Sequence, residues 1–221
     1  MMKRFLTEEE QQRLLRTAKA SSDPLAQRDY WWMRLLIATG ARIDEFAHWT
    51  ASQAESALST GWVVVPACHR KGKKKGHEYM VTHTVRECLE ALLRLQRQEQ
   101  QPIDGGAPAP LVWGREGAPL SVRAYQVRVK SWGLLAGLDP RISPHWLRHT
   151  RGVNIIRRSR SANPLKVAQL ALGHSSIAST GIYTQMERDE LALDLQQIDG
   201  ARLSRRAAVA AAAGGAQGVL L

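Results

Sequence analysis

His145 and Arg148 stand three positions apart after Ser143-Pro144, and His149 follows directly. Proline is favoured in the first turn of a helix, and residues three apart share a helix face. A guanidinium on such a face can fork onto two phosphate oxygens. Alone, the pair would describe any basic helix start. Two further stretches change its weight. Leu172-Gly173-His174 closes an apolar helical pattern on a glycine, and Tyr183 comes nine positions after His174. A glycine in the left-handed conformation ends a helix and presents the next residue at its tip. Far upstream, Thr39-Gly40-Ala41-Arg42-Ile43-Asp44-Glu45 supplies a second arginine with a carboxylate three residues on. Phosphodiester transfer needs a nucleophile, donors or cations around the phosphate, and an acid for the leaving oxygen. Side chains can supply all of these. Tyrosine is a plausible nucleophile, because its phosphodiester conserves the energy of the broken bond.

His145 and His149 are four apart, a spacing that can hold a metal ion. No glutamate stands between them and no third ligand is evident, so no metal is expected and His149 reads as a packing or hydrogen-bonding residue. Tyr30, Tyr79 and Tyr125 also read as packing residues.

The elements that must position these groups are mostly helical. Thr7 and Glu10 form a capping box opening a first helix, whose apolar stripe is Leu14, Leu15 and Ala18. Asp23-Pro24 starts a second, strongly apolar helix ending near Gly40, and a short one carries Arg42 to Ala47. Trp62-Val63-Val64-Val65 and Tyr79-Met80-Val81-Thr82 read as strands. Between them Arg70-Lys71-Gly72-Lys73-Lys74-Lys75-Gly76 is a cationic hairpin tip. Helical patterns then run over Thr84 to Gln100, Val122 to Leu135, from Pro144, from Pro164 to Leu172, and over Glu187 to Ile198. Pro102 to Pro119 is a loop interrupted by Leu111-Val112-Trp113, and the Ala- and Gly-rich end from Arg205 reads as a frayed tail. The fold class is mainly α with a small antiparallel β-sheet, an α+β domain.

Composition agrees with a phosphate partner. The chain has 221 residues, 31 Lys+Arg against 20 Asp+Glu, and a net charge of +11. Each phosphate such a protein neutralises releases condensed counterions, which favours a polyanion. A basic solvated face or an anionic membrane surface would show the same charge. The two cysteines, Cys68 and Cys88, make neither a disulfide framework nor a zinc site, and each reads as a small core residue in a reducing compartment. No apolar run is long enough to span a bilayer, and the opening Met1 to Glu10 is polar and mixed in charge. The expectation is a cytoplasmic protein with no membrane partner.

In their order and local phrases these residues resemble the tyrosine recombinases, or phage-type integrases. The phrases are Thr39-Gly40-Ala41-Arg42, Pro144-His145-Trp146-Leu147-Arg148-His149-Thr150, and Leu172 to Thr184 around Gly173-His174 and Tyr183. The likeness extends from Thr7 to about Ile198 and implies the tyrosine recombinase catalytic-domain fold. It implies that Arg42 and Arg148 clamp the scissile phosphate of double-stranded DNA, that His145 and His174 bond its non-bridging oxygens, and that Tyr183 attacks phosphorus to form a 3′-phosphotyrosyl link. It makes Glu45 an orienting carboxylate behind Arg42. A lysine on the hairpin would protonate the departing 5′-oxygen; Lys71 is the choice, with Lys73, Lys74 and Lys75 close enough to compete, and Arg70 and the lysines not used as the acid would be DNA phosphate contacts. No cofactor and no metal are implied. The protein would be nucleoid-associated when bound to DNA, as a homo-tetramer on paired sites and possible as a monomer without DNA.

Residues 1–200 would form the catalytic domain and 201–221 a flexible tail, with no N-terminal core-binding domain in this chain. The sequence departs from the family in a longer segment at 157–163, in Trp146 where a polar residue is common, and in Arg151 where a packing residue is usual. Two other readings stay open: a DNA-binding accessory protein or regulator that keeps the fold, and type IB topoisomerase-like relaxation.

Overall fold

Local signals start the helices where the sequence places them. In the computed structural model, which describes residues 5–70, 72, 75–99, 108–114 and 117–174, the Thr7 hydroxyl accepts the Glu10 amide, and the Glu10 carboxylate accepts the Thr7 amide at 3.0 Å. This capping box opens α1 (Glu8–Lys19), which buries Leu14 and Ala18. Asp23 accepts the Leu25 amide at 2.9 Å and opens α2 (Pro24–Thr39). That helix stops at Gly40, whose φ of 69° is left-handed. Arg42 then precedes the single turn α3 (Ile43–Phe46). The next helix, α4 (Ala51–Thr60), is absent from the sequence expectations. Its signal was the Thr50–Gln53 capping box, but it buries only Ala54 and Ala57, too thin a stripe to register as periodic.

The two strands β1 (Trp62–Val65) and β2 (His77–Met80) pair antiparallel, with Val63 opposite Tyr79 and Val65 opposite His77. The second strand therefore begins and ends two residues earlier than Tyr79–Thr82. Thr82 is taken by the next helix, where its carbonyl accepts the Arg86 amide at 2.9 Å. Val63, Val65 and Tyr79 face inward, while Trp62, Val64 and Met80 are exposed. A short 3-10 turn, Ala67–His69, leads away from β1 and leaves Cys68 exposed, so it is not the core residue expected. Cys88 is one: it is fully buried on α5 (His83–Glu99), and burial pushes its thiol up to about 12. The remaining described helices are α6 (Val122–Leu135), α7 (Pro144–Arg158) and α8 (Pro164–Leu172). None of the described helices is long and apolar enough to cross a membrane. The expected helix at 187–198, the tail, Lys71, Lys73, Lys74 and Tyr183 lie outside the described residues.

Helix α2 runs through the centre and packs on α1, α5 and α7. A file of aromatic rings links the core to the hairpin: Trp32 meets Tyr125, Tyr125 meets Phe46, Phe46 meets Trp49, Trp49 meets Tyr79, and Tyr79 meets His77, with centroids 4.5–5.8 Å apart. Beside it Asp29, with no exposed surface, collects donors from two helices. It accepts Arg28 and the Trp32 indole at 2.8 Å within α2, and Arg128 and the Trp132 indole from α6. Arg28 also bonds the Trp113 carbonyl. Burial lowers the Arg28 pKa even with Asp29 alongside, so the carboxylate is what makes a buried guanidinium tolerable.

Asp29→Ala strands that buried charge. A loss of about 3–5 kcal/mol is expected. Urea unfolding followed by tryptophan fluorescence checks it, and a loss below about 1 kcal/mol would show that the network is incidental.

Candidate active site

Arg148 lies in the second turn of α7 and is 3% exposed. Its Nη1 donates to the Gly40 carbonyl at 2.6 Å and its Nη2 to the Leu172 carbonyl at 2.8 Å. Both acceptors sit at helix C-termini, α2 and α8, where carbonyls lack helical partners and the dipole favours a cation. Gly40 permits this approach. A Cβ there would stand 2.4 Å from Leu172 Cδ2 and 3.0 Å from Arg151 Cγ. His145, one turn before Arg148, is exposed, and its ring meets that of buried His149 edge-on at 4.2 Å.

Glu45 is the second node. It is 1% exposed on α3, yet Oε1 accepts from Arg42 at 2.9 Å and from Arg70 at 3.1 Å, and Oε2 accepts the Tyr79 hydroxyl at 2.6 Å. Burial alone would raise its pKa. Tyr79, Arg42 and Arg70 outweigh it and hold the carboxylate below its usual range. Burial and Glu45 together raise the Tyr79 pKa, so that phenol stays protonated and donates. Arg42, 29% exposed, is thereby held through its guanidinium Nη1 and keeps part of its surface open to solvent.

His174 completes the group. Helix α8 stops at Gly173, with φ of 62°, and the His174 amide closes the turn on the Gln169 carbonyl at 3.0 Å. The ring is half-buried. Burial first, then Arg148, Arg42, His145 and His77, push its pKa down to about 4. The imidazole is neutral at neutral pH and carries one N–H donor and one acceptor. Arg42, His145, Arg148 and His174 thus form one electrostatic neighbourhood, built from the ends of α2, α7 and α8. Two guanidiniums and two imidazoles on rigid elements can bind and neutralise a tetrahedral or trigonal-bipyramidal phosphorus anion.

Among the other candidates, Lys75 is exposed on the hairpin, and Lys71, Lys73, Lys74 and Tyr183 lie outside the described residues. Arg70, expected among the phosphate contacts, points inward instead: its side chain is 12% exposed and is held by Glu45 and by the backbone carbonyls of Lys75, Gly76 and Gly173. Sequence reasoning missed His77 and the part played by Tyr79. Strand alternation puts the two on one face, but the expected strand began only at Tyr79. Among the described residues, no three His, Cys, Asp or Glu side chains cluster as metal ligands.

Comparison with known proteins bears on the family and the fold. Residues 4–190 match the phage integrase family. The tyrosine recombinase XerC of Neisseria gonorrhoeae is 33% identical over 180 residues, covering 81% of this chain and 54% of that protein. XerC of Azotobacter vinelandii is 33% identical over 189 residues, 86% of this chain and 58% of that one. The chain spans a little over half the length of these curated relatives. Its fold matches the crystal structure of XerA recombinase with a TM-score of 0.68 at 23% identity, over 89% of this chain and 64% of that chain.

A histidine whose folded pKa is depressed takes its proton more readily when unfolded. Stability is therefore full above the unfolded value and is lost as pH falls from 6.5 toward about 4. His77 and His69, also shifted down, act in the same direction. His174→Asn should flatten part of that slope in urea midpoints measured across the window. An unchanged slope would show that His174 is solvated like an ordinary histidine.

Proposed function

The chain belongs to the phage integrase family, and we propose that it performs site-specific DNA recombination by cutting and rejoining strands through Tyr183. The observation that carries this reading is that Arg42, His145 and Arg148 all lie close enough to act on half-buried His174, with Arg42 held by Glu45 and Arg148 by the Gly40 and Leu172 carbonyls.

In this reading the Tyr183 oxygen attacks the scissile phosphorus, and its proton leaves to a neighbouring base such as a site histidine. The P–O bond to the 5′-oxygen breaks, and Lys71 supplies that oxygen with a proton. The products are a 3′-phosphotyrosyl link and a free 5′-hydroxyl. Rejoining is the reverse attack by a 5′-hydroxyl, from the same or another strand, and restores the phenol. Arg148 acts as a pre-set charge: with its guanidinium already held by two carbonyls, little reorganisation accompanies charge build-up on phosphorus. His145 and His174 donate to the non-bridging oxygens. The exposed Lys75, with Lys73 and Lys74, supplies phosphate contacts, and the excess of cations makes binding steeply salt-dependent.

We assign the catalytic domain to residues 1–200, supported by the family match over 4–190. Exchange between two duplexes requires cleavage of four strands, so the working assembly is a homo-tetramer on paired sites. A crystal structure of XerH bound to palindromic difH substrate, a post-cleavage complex, shares the fold at a TM-score of 0.68 and 20% identity, over 89% of this chain and 53% of that one.

The deciding experiment incubates the protein with nicked suicide duplexes tiled from the DNA flanking its own gene. An SDS-stable adduct mapping to Tyr183 is expected. Tyr183→Phe should bind DNA normally and form no adduct; a surviving adduct would assign another nucleophile. Arg148→Lys loses the two-pronged grip, and cleavage should fall about 10²–10³-fold. Near-normal cleavage would remove Arg148 from the phosphate. Lys71→Ala should slow cleavage of ordinary DNA much more than of DNA carrying a 5′-bridging sulfur, which leaves with little help from an acid. Equal defects on both would reassign the proton donor.

A further inference from the structure

At the C-terminal end of α8 three successive backbone carbonyls, those of Ala171, Leu172 and the cap Gly173, each accept from a side chain of a different element. Ala171 accepts from His77 Nε2 on β2 at 3.2 Å, Leu172 from Arg148 Nη2 on α7 at 2.8 Å, and Gly173 from Arg70 Nη2 at the base of the hairpin at 3.0 Å. Carbonyls only accept, so the bond assigns the His77 proton to Nε2. Donors and cations at a helix C-terminus satisfy orphan groups and oppose the dipole together. The residue that follows this helix end is His174.

Arg70 does more than cap. Nε bonds Glu45 Oε1 at 3.1 Å, and Nη1 bonds the carbonyls of Lys75 at 3.0 Å and Gly76 at 3.1 Å, just before β2. One guanidinium thus joins the carboxylate that tethers Arg42, the hairpin, and the turn that presents His174. Gly173 leaves the space for this: a Cβ there would lie 2.8 Å from Arg70 Nη2 and 2.8 Å from His77 Nδ1.

We propose that Arg70 and His77 are positioning residues that lock the basic hairpin to the His174 turn, so that the hairpin's proton donor and the phosphate-binding imidazole are set by a single joint. The hairpin-lysine half of this statement rests on the recombinase reading; the joint itself does not. Arg70 acts through His174 and Arg42 and does not itself contact DNA, although its place in a run of cations suggests a phosphate contact.

Two measurements on the full chain test the joint. The first needs no DNA. In Arg70→Gln and in His77→Phe, amide hydrogen exchange at Gly173 and His174 should quicken about tenfold or more relative to the core of α2. His77→Gln, which keeps an N–H donor, should recover part of the protection. Where Arg70→Gln fails to fold, Arg70→Lys, which keeps the charge and a single-atom donor, carries the same comparison. Unchanged exchange in the folded variants overturns the proposal.

The second measurement uses the nicked suicide duplexes. Arg70→Gln should cut about 10²-fold more slowly. Its affinity for a random-sequence duplex, and the salt dependence of that affinity, should stay as in the parent. In a His174→Ala background the same change should cost little more, because the two act as a unit. A salt slope lowered by about one would make Arg70 a phosphate contact and overturn the proposal. Defects that multiply independently would overturn it too. If the parent chain forms no adduct on any duplex, the recombination reading fails, and the exchange measurement alone decides the joint.

Discussion

A buried guanidinium must be satisfied, and much of this structure follows from how Arg148 is. Its charge would be costly at 3% exposure without partners. The partners are backbone carbonyls at the ends of α2 and α8, groups that themselves need donors. Each side resolves the other's deficit. The exchange dictates geometry: two helices must end at one point, and α7 must pass beside both. It also dictates Gly40, since any side chain there would strike Leu172 and part the helix ends. Helix α8 is short and buries Ala168 and Leu172 among the described residues, so these polar ties add to its packing on α7 in fixing its end.

The same logic repeats around Glu45. Burial at 1% exposure pushes this carboxylate toward its protonated form, and Tyr79, Arg42 and Arg70 outweigh that push. Those donors come from β2, from the start of α3 and from the hairpin base, so the ion sets the sheet against the helices. The aromatic file from Trp32 to His77 backs this arrangement with apolar area. Polar ties choose the geometry and ring packing makes it stiff.

Electrostatically the site is built against itself. Burial opposes a proton on His174, and Arg148, Arg42, His145 and His77 oppose it further. A neutral imidazole among fixed cations favours anions strongly and relaxes little on meeting one. A phosphate placed among these groups would relieve their mutual repulsion. The depressed histidines cost stability in acid, a common exchange of stability for function.

What could be read along the chain is what short-range physics controls. Thr7 with Glu10, Asp23 with Pro24, and the glycines at 40 and 173 act on neighbours within a turn, so their caps and stops were legible, as was the order of the recombinase phrases. The hairpin was legible too, though β2 lies two residues earlier because Thr82 opens α5. Helix α4 escaped because its cap was overlooked and its buried face is two alanines wide. Cys68 was placed in the core on composition alone, and the turn after β1 exposes it. The fate of Arg70 was decided by tertiary structure. In sequence it is one cation in a basic run; in the fold it turns inward, because Glu45, 25 residues before it, and the Gly173 carbonyl, 103 residues after it, lie within reach. His77 likewise finds Ala171 across 94 residues. Residue types and spacing determined which chemistry this chain carries. Only the folded chain decided which cations stay exposed and which turn inward to hold others in place, because that choice depends on partners brought together across the fold.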